Sequence, residues 1–210
     1  MNNNNLKSAG LSLLIGSFLM IVTMVLHPVG GDFDHLLMIV NMGIIAHSIA
    51  LFSIPFVAYG YWGIMVRLQA SVFLSRIGFS FMLFGLFAVM MAAALNGLVL
   101  MQFVASYADA SPEVIASLKP IFRYNHFFNL ANDYIFMTGV GVSTLFWSIA
   151  TVKTRQFPVW IGYFGIGLVI AALLTLVTGF ILTDVAGFRI FIFGTTAWTM
   201  TMGWLMFREA

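Results

Sequence analysis

Asp133, His47, His27 and Asn96 each interrupt a long apolar run. A carboxylate or imidazole in hydrocarbon is costly without a partner, so ionisable residues inside membrane segments mark ligand, ion or proton sites. The densest signal lies between residues 125 and 133. Asn125, His126, Asn129, Asn132 and Asp133 share an arc of about 120° on a helix at ~100° per residue, while Phe127, Phe128, Ala131, Tyr134 and Ile135 fill the remainder. Such a face cannot lie against lipid, because each unsatisfied polar group there costs several kcal/mol. It is expected to line a pocket or cavity. The candidate binding set is therefore Asp133 as the central charge and His47 as its partner, with His27, Asn96, His126, Asn129 and Asn132 as the lining. If Asp133 and His47 meet at low dielectric, their titrations are coupled, which suits proton-linked binding.

The same residues raise the question of a metal. His27, His47, His126 and Asp133 carry the donor chemistry that suits zinc or copper, with nickel and non-haem iron also compatible. Two of the histidines as axial ligands of haem form a further alternative. The chain has no cysteine, so any metal is held by nitrogen and oxygen alone. His35 with Asp32 and Asp34 forms a second small cluster, read as a solvated loop. Ser48 beside His47 makes no nucleophile pair, because neighbours on a helix point about 100° apart. No phosphate-cradling glycine loop, paired-histidine zinc helix or nucleophile elbow occurs.

Long apolar helices must carry these groups. Of 210 residues, 61% are hydrophobic and only 8% charged, and the mean hydropathy is +1.03, whereas a soluble domain carries about a quarter charged residues. The chain belongs in a lipid bilayer. Its net charge of +2 gives no nucleic-acid footprint. Uncharged stretches run over 8–26, 36–66, 77–108, 134–152, 156–183 and 190–207, each near or above the ~18 apolar residues of a spanning helix. The expected fold is all-α: one domain over 1–210, a polytopic membrane protein with six transmembrane helices. The first stretch is too long for the core of a secretory signal, and His27-Pro28-Val29-Gly30 is no cleavage site, so it is kept as a span.

If six helices alternate, Lys7, Arg67, Arg76, Lys153, Arg155 and Arg208 fall on one side and only Lys119, Arg123 and Arg189 on the other. The positive-inside bias then places both termini in the cytoplasm. Ser111-Pro112-Glu113 reads as the start of a short external helix between spans three and four, ending at Pro120. Pro28 closes the first span, Pro158 opens the fifth, Pro55 is expected to kink the second, and Asn2 to Asn5 form a disordered tail. A helix crosses ~30 Å of hydrocarbon in about 20 residues. Counting that far from Lys7, Arg67, Arg76 and Lys153 reaches His27, His47, Asn96 and Asp133, at one depth. Small residues share faces with three of them: Ser12, Gly16 and Thr23 with His27, Gly43 and Ala50 with His47, Gly78, Gly85 and Ala92 with Asn96. Such faces pack closely on other helices, which turns the polar residues inward. The methionines and phenylalanines are spread over all faces and read as core and lipid-facing filling.

Ala9-Gly10-Leu11-Ser12-Leu13-Leu14-Ile15-Gly16 and Phe157-Pro158-Val159-Trp160-Ile161-Gly162-Tyr163-Phe164-Gly165 resemble the first- and fifth-helix openings of an uncharacterised family of small bacterial six-helix integral membrane proteins with a domain of unknown function. The resemblance implies placement in a bacterial inner membrane and transfers no activity. His27-Pro28-Val29-Gly30-Gly31-Asp32 departs from that pattern. The reading favoured by the residues is an outward-opening polar pocket that binds or passes a small molecule, ion or proton. A metal-dependent membrane enzyme and a structural or sensory subunit docking through residues 109–119 stand as alternatives. Homo-oligomerisation stays open.

Overall fold

The computed structural model describes residues 3–209, and their side chains except those of Leu176 and Glu209. Among the described residues every regular element is helical: α1 (Asn3–Leu26), α2 (Phe33–Arg67), a 3-10 turn (Gln69–Ser71), α3 (Val72–Ala92), a π-helical segment (Ala93–Val99), α4 (Leu100–Ala105), α5 (Pro112–Ser117), α6 (Lys119–Thr154), α7 (Val159–Thr178) and α8 (Val185–Glu209). The α3, π and α4 segments follow one another directly and act as one long helix. Five helices are long and apolar enough to cross a membrane: α1, α2, the composite helix, α6 and α8. The shorter α7 is also apolar.

Several boundaries differ from expectation, for identifiable reasons. The asparagine tail is helical from Asn3 onward, while Asn2 lies outside the described residues. The short helix expected to end at Pro120 stops at Ser117, and Pro120 instead sits in the first turn of α6, where its missing N–H has no helical partner to lose. α6 thus begins fifteen residues before the uncharged run does. α7 ends at Thr178, short of 183, because Gly179 takes the left-handed conformation (φ 74°) that caps a helix. Pro28 and Pro158 flank helix ends as expected, and α2 runs through Pro55. At α5, the Ser111 hydroxyl and the Glu113 backbone hold the Glu113 carboxyl below its ordinary value.

The helices form a closed ring in chain order: α1 on α2, α2 on the composite helix, that helix on α6, α6 on α7, α7 on α8, and α8 back on α1. Neighbours run antiparallel, as the small-residue contacts show. Gly60 meets Leu13 and Gly16 meets Val57 between α1 and α2; Gly10 meets Gly203 between α1 and α8. Gly85 and Gly139 bring α3 and α6 into backbone contact, since a Cβ on Gly139 would lie 2.7 Å from the Gly85 nitrogen. One half of the bundle is filled by two stacked indoles, Trp147 and Trp198, with centroids 6.5 Å apart. Trp147 Nε1 donates to Ser75 O (3.0 Å) and Trp198 Nε1 to Ile161 O (3.1 Å), which ties α6 to α3 and α8 to α7.

Basic side chains gather at that end. Arg67 lies over the Phe157 ring (4.8 Å) and its Nε donates to Gln156 O (2.9 Å), while Gln156 Oε1 accepts from Ala70 N (3.3 Å). Lys7 lies over Phe207. The opposite end carries Asp32, Asp34, Lys119 and Arg189, so the end of the bundle rich in cations is also the end that holds both described chain ends.

Adding side-chain bulk at Gly139 forces α3 and α6 apart, an overpacking cost of about 1–3 kcal/mol. Gly139→Val is expected to lower the unfolding midpoint in detergent, whereas Gly141→Ala, with nothing within 4 Å of its Cβ position, leaves it unchanged or raises it.

Candidate functional site

α6 has 36 residues and is about 54 Å long at 1.5 Å per residue, well beyond the ~30 Å hydrocarbon core. The polar face, from Asn125 to Asp133, occupies the first half of the helix. Asn125, Asn129 and Asp133 follow one another at i, i+4 and i+8, stacked along a single stripe. Asn129 Nδ2 donates to Asp133 Oδ2 at 3.0 Å. Asn96, from the π-helical segment, inserts between Asn129 and Asn125: its Nδ2 donates to Asn129 Oδ1, and its Oδ1 accepts from Asn125 Nδ2 at 2.6 Å. Three amides and one carboxylate form an unbroken relay joining two helices.

The π-helical segment makes this possible. Leu100 N bonds to Leu95 O, five residues back, instead of four, and the wider turn changes the register of the residues beyond it. Asn96 then meets α6 while its neighbour Gly97 meets α2. The Gly97 backbone lies so close to His47 that a Cβ there would fall 1.9 Å from the His47 Cβ. On the far side of that contact, His47 Nδ1 donates to Gly43 O (2.8 Å) and its ring lies 4.9 Å from that of His27, tilted by 57°. His27 Nδ1 donates to Pro28 O (2.9 Å), and Arg189 Nη2 from α8 donates to the His27 carbonyl (3.0 Å). Arg189 Nε is buried without a partner.

Above the relay lies an open cavity of about 730 Å³. Asn96, Asn125 and Asn129 form its floor; Gly30 to Asp34 form one wall, Pro112, Ile115 and Ala116 of α5 another, and Lys119 and His126 complete the rim. Below the relay the interior is closed by Phe136, Val140, Leu86 and Met82. Further along α6, Ser143, Thr144, Ser148 and Thr151 are buried with hydroxyls that bond nothing.

The structure brings some expected site residues together and separates others. Asn96, Asn129 and Asp133 meet. His27 and His47 meet as a second pair. The expected partnership of Asp133 with His47 is not formed: their hydrogen bonds go to Asn129 and to Gly43, with the π-helical segment between α2 and α6. The four proposed metal ligands do not converge. His126 is exposed on the cavity rim, His27 and His47 face each other, and Asp133 sits in the relay; among the described residues no three His, Asp or Glu side chains could hold a metal ion. Asn132 is buried but bonds back to Phe128 O (2.9 Å) and takes no part. Asn125 belongs to the relay, although its identity as one more polar residue on the α6 face did not mark it as a bonding member. Gly97, Asp32, Asp34 and Lys119 carry no sequence signal of their role. Comparison with protein families, curated proteins and solved structures finds no match to this chain.

Removing Asn96 leaves Asn125 Nδ2 and Asn129 Oδ1 without their partners. Asn96→Ala is expected to cost about 1–3 kcal/mol in detergent unfolding, and Asn132→Ala, which frees only a back-bonded amide, clearly less.

His27, in the loop after α1, gives a pH signature. Burial first, then the facing His47 and the Arg189 guanidinium, push its imidazole from 6.5 down to about 4, while the bond to Pro28 acts the other way. The unfolded chain binds this proton more readily than the folded one. Stability from this group is thus complete above pH 6.5 and declines as pH falls toward 4. Unfolding midpoints at several pH values should show that slope, and His27→Gln should flatten it.

Proposed function

We propose that this chain is a six-span protein of a bacterial inner membrane, with both termini in the cytoplasm, that binds a small polar molecule in a cavity at its outer face. The observation that carries the reading is the amide and carboxylate relay lying directly beneath an open cavity lined by its own residues. Polar groups inside an apolar bundle have structural partners or ligands, and here they have both: partners along the relay, and open space above it.

The sixth span in this reading is α7, whose 20 residues reach about 30 Å and include no charged side chain. The cation-rich end supports the orientation, through Lys7, Arg67, Arg76, Lys153, Arg155 and Arg208. α5 is then external and serves as a cavity wall. Binding is favoured over passage because Phe136, Val140, Leu86 and Met82 close the bundle below Asp133.

The absence of cysteine makes the native chain a clean background for labelling. A cysteine at Ser111 should react with a membrane-impermeant maleimide in intact cells, and one at Ser71 only after permeabilisation; the reverse pattern contradicts the orientation. For the cavity, the unfolding midpoint of purified protein is scanned against small amines, amino acids, polyols and carboxylates. At least one should raise it saturably, and Ala116→Trp, which fills the cavity without touching the relay, should remove the effect. If none raises it, the binding reading fails.

A further inference from the structure

An ionised carboxylate only accepts hydrogen bonds, and this fixes the direction of every amide above Asp133. Asn129 must turn its Nδ2 to Asp133, which leaves Asn129 Oδ1 to accept from Asn96, and Asn96 Oδ1 to accept from Asn125. The sequence of donors ends at Asn125 Oδ1. Among the described residues nothing donates to that oxygen, and Asn125 lines the cavity. Each amide dipole thus has its negative end toward the cavity, and bonds in a chain of this kind polarise one another. The rim adds the carboxylates of Asp32 and Asp34, beside Lys119 and the imidazole of His126.

The geometry points to a protonated amine as the ligand of this cavity, its N–H groups donating to Asn125 Oδ1 and its charge facing the negative pole of the relay. The inference rests on the cavity reading above and names the chemistry of its occupant. A corollary follows from the carboxyl group itself. A protonated Asp133 can donate as well as accept, so the proton it takes from water releases the lock: the amides can reverse, and Asn125 then offers Nδ2 to the cavity and disfavours a cation.

Asp133 faces no other charged group that would obscure this titration. The π-helical segment brings only Asn96. Arg76 of α3 and Tyr163 of α7 lie near the levels of Trp147 and Ser148, more than three turns away along α6. α8 sets Phe188 and Phe191 against Phe136, with Arg189 turned to the His27 carbonyl. His47 of α2 lies against Gly97, with His27 beside it. On α6 itself, His126, Arg123 and Lys119 lie two or more turns above, and Lys153 near the other end.

The test measures binding of methylammonium, tetramethylammonium and acetate to the purified full chain between about pH 5 and 9. Methylammonium is expected to bind saturably at the alkaline end and to weaken as pH falls. Tetramethylammonium has the same charge but no N–H, and should bind about tenfold more weakly; acetate should be weaker still at alkaline pH. Made in a His126→Gln background, which removes the rim imidazole, Asp133→Asn keeps the shape and a hydrogen-bonding group but not the lock, so methylammonium affinity should fall about tenfold and lose its pH dependence. Asn125→Leu, at the half-buried upper end, should abolish preference among the three probes. Equal binding of acetate and methylammonium, or an unchanged pH profile in Asp133→Asn, overturns the inference while leaving the cavity reading intact. If none of the probes binds and no solute in the wider scan responds to Ala116→Trp, both fall together.

Discussion

The structure depends on one constraint: a carboxylate carried into an apolar bundle needs hydrogen-bond donors, and apolar side chains and lipid offer none. Asp133 is that carboxylate, and Asn129 alone, one turn away, is a weak answer to it. The amide from Asn96 extends that answer across to a second helix, and Asn125 completes it. Packing serves this arrangement. The backbone contact of Gly85 with Gly139 holds α3 and α6 close enough for side chains as short as asparagine to bridge them.

The π-helical segment resolves a conflict between two neighbours. α2 presents His47 to the composite helix, and α6 presents its amide stripe to the same helix. Both demands fall on adjacent residues, Asn96 and Gly97, which point about 100° apart on a regular helix and whose exact directions are set here by the π turn. The wider π turn lets Asn96 bond to α6 while the bare backbone of Gly97 accepts the imidazole of His47. The consequence is two polar groups in place of one chamber: an amide and carboxylate relay under the cavity, and a pair of imidazoles beside Arg189.

Much of this was legible in the residues. Long uncharged runs gave an all-helical bundle with six expected spans, of which five are helices long and apolar enough to cross a membrane, and counting from Lys7, Arg67, Arg76 and Lys153 picked out His27, His47, Asn96 and Asp133. The arc of Asn125, Asn129 and Asp133 is the stripe that bonds. What could not be read is equally specific. Ala93-Ala94-Leu95 contains no mark of a π turn, so the split between Asn96 and Gly97, and with it the separation of Asp133 from His47, was invisible. Lys119 and Arg123 lie outside the uncharged run that begins at Tyr134, so apolarity alone gave no sign that α6 starts as early as Lys119. The cavity walls come from Asp32, Asp34 and α5, brought near by the ring topology and not by any local pattern.

The central claim is that Asn125, Asn96, Asn129 and Asp133 are hydrogen-bonded in series within the membrane-embedded protein. Solid-state NMR of the chain in lipid bilayers, with isotopic labels on asparagine and aspartate side chains, measures this directly. The account predicts through-space contacts from Asn96 Nδ2 to Asn129 Cγ and from Asn129 Nδ2 to Asp133 Cγ, both lost in Asn96→Ala or Asp133→Ala as the altered partner dictates. Side-chain amides of these residues that show no mutual contact, and instead exchange freely with water or touch acyl chains, would contradict it.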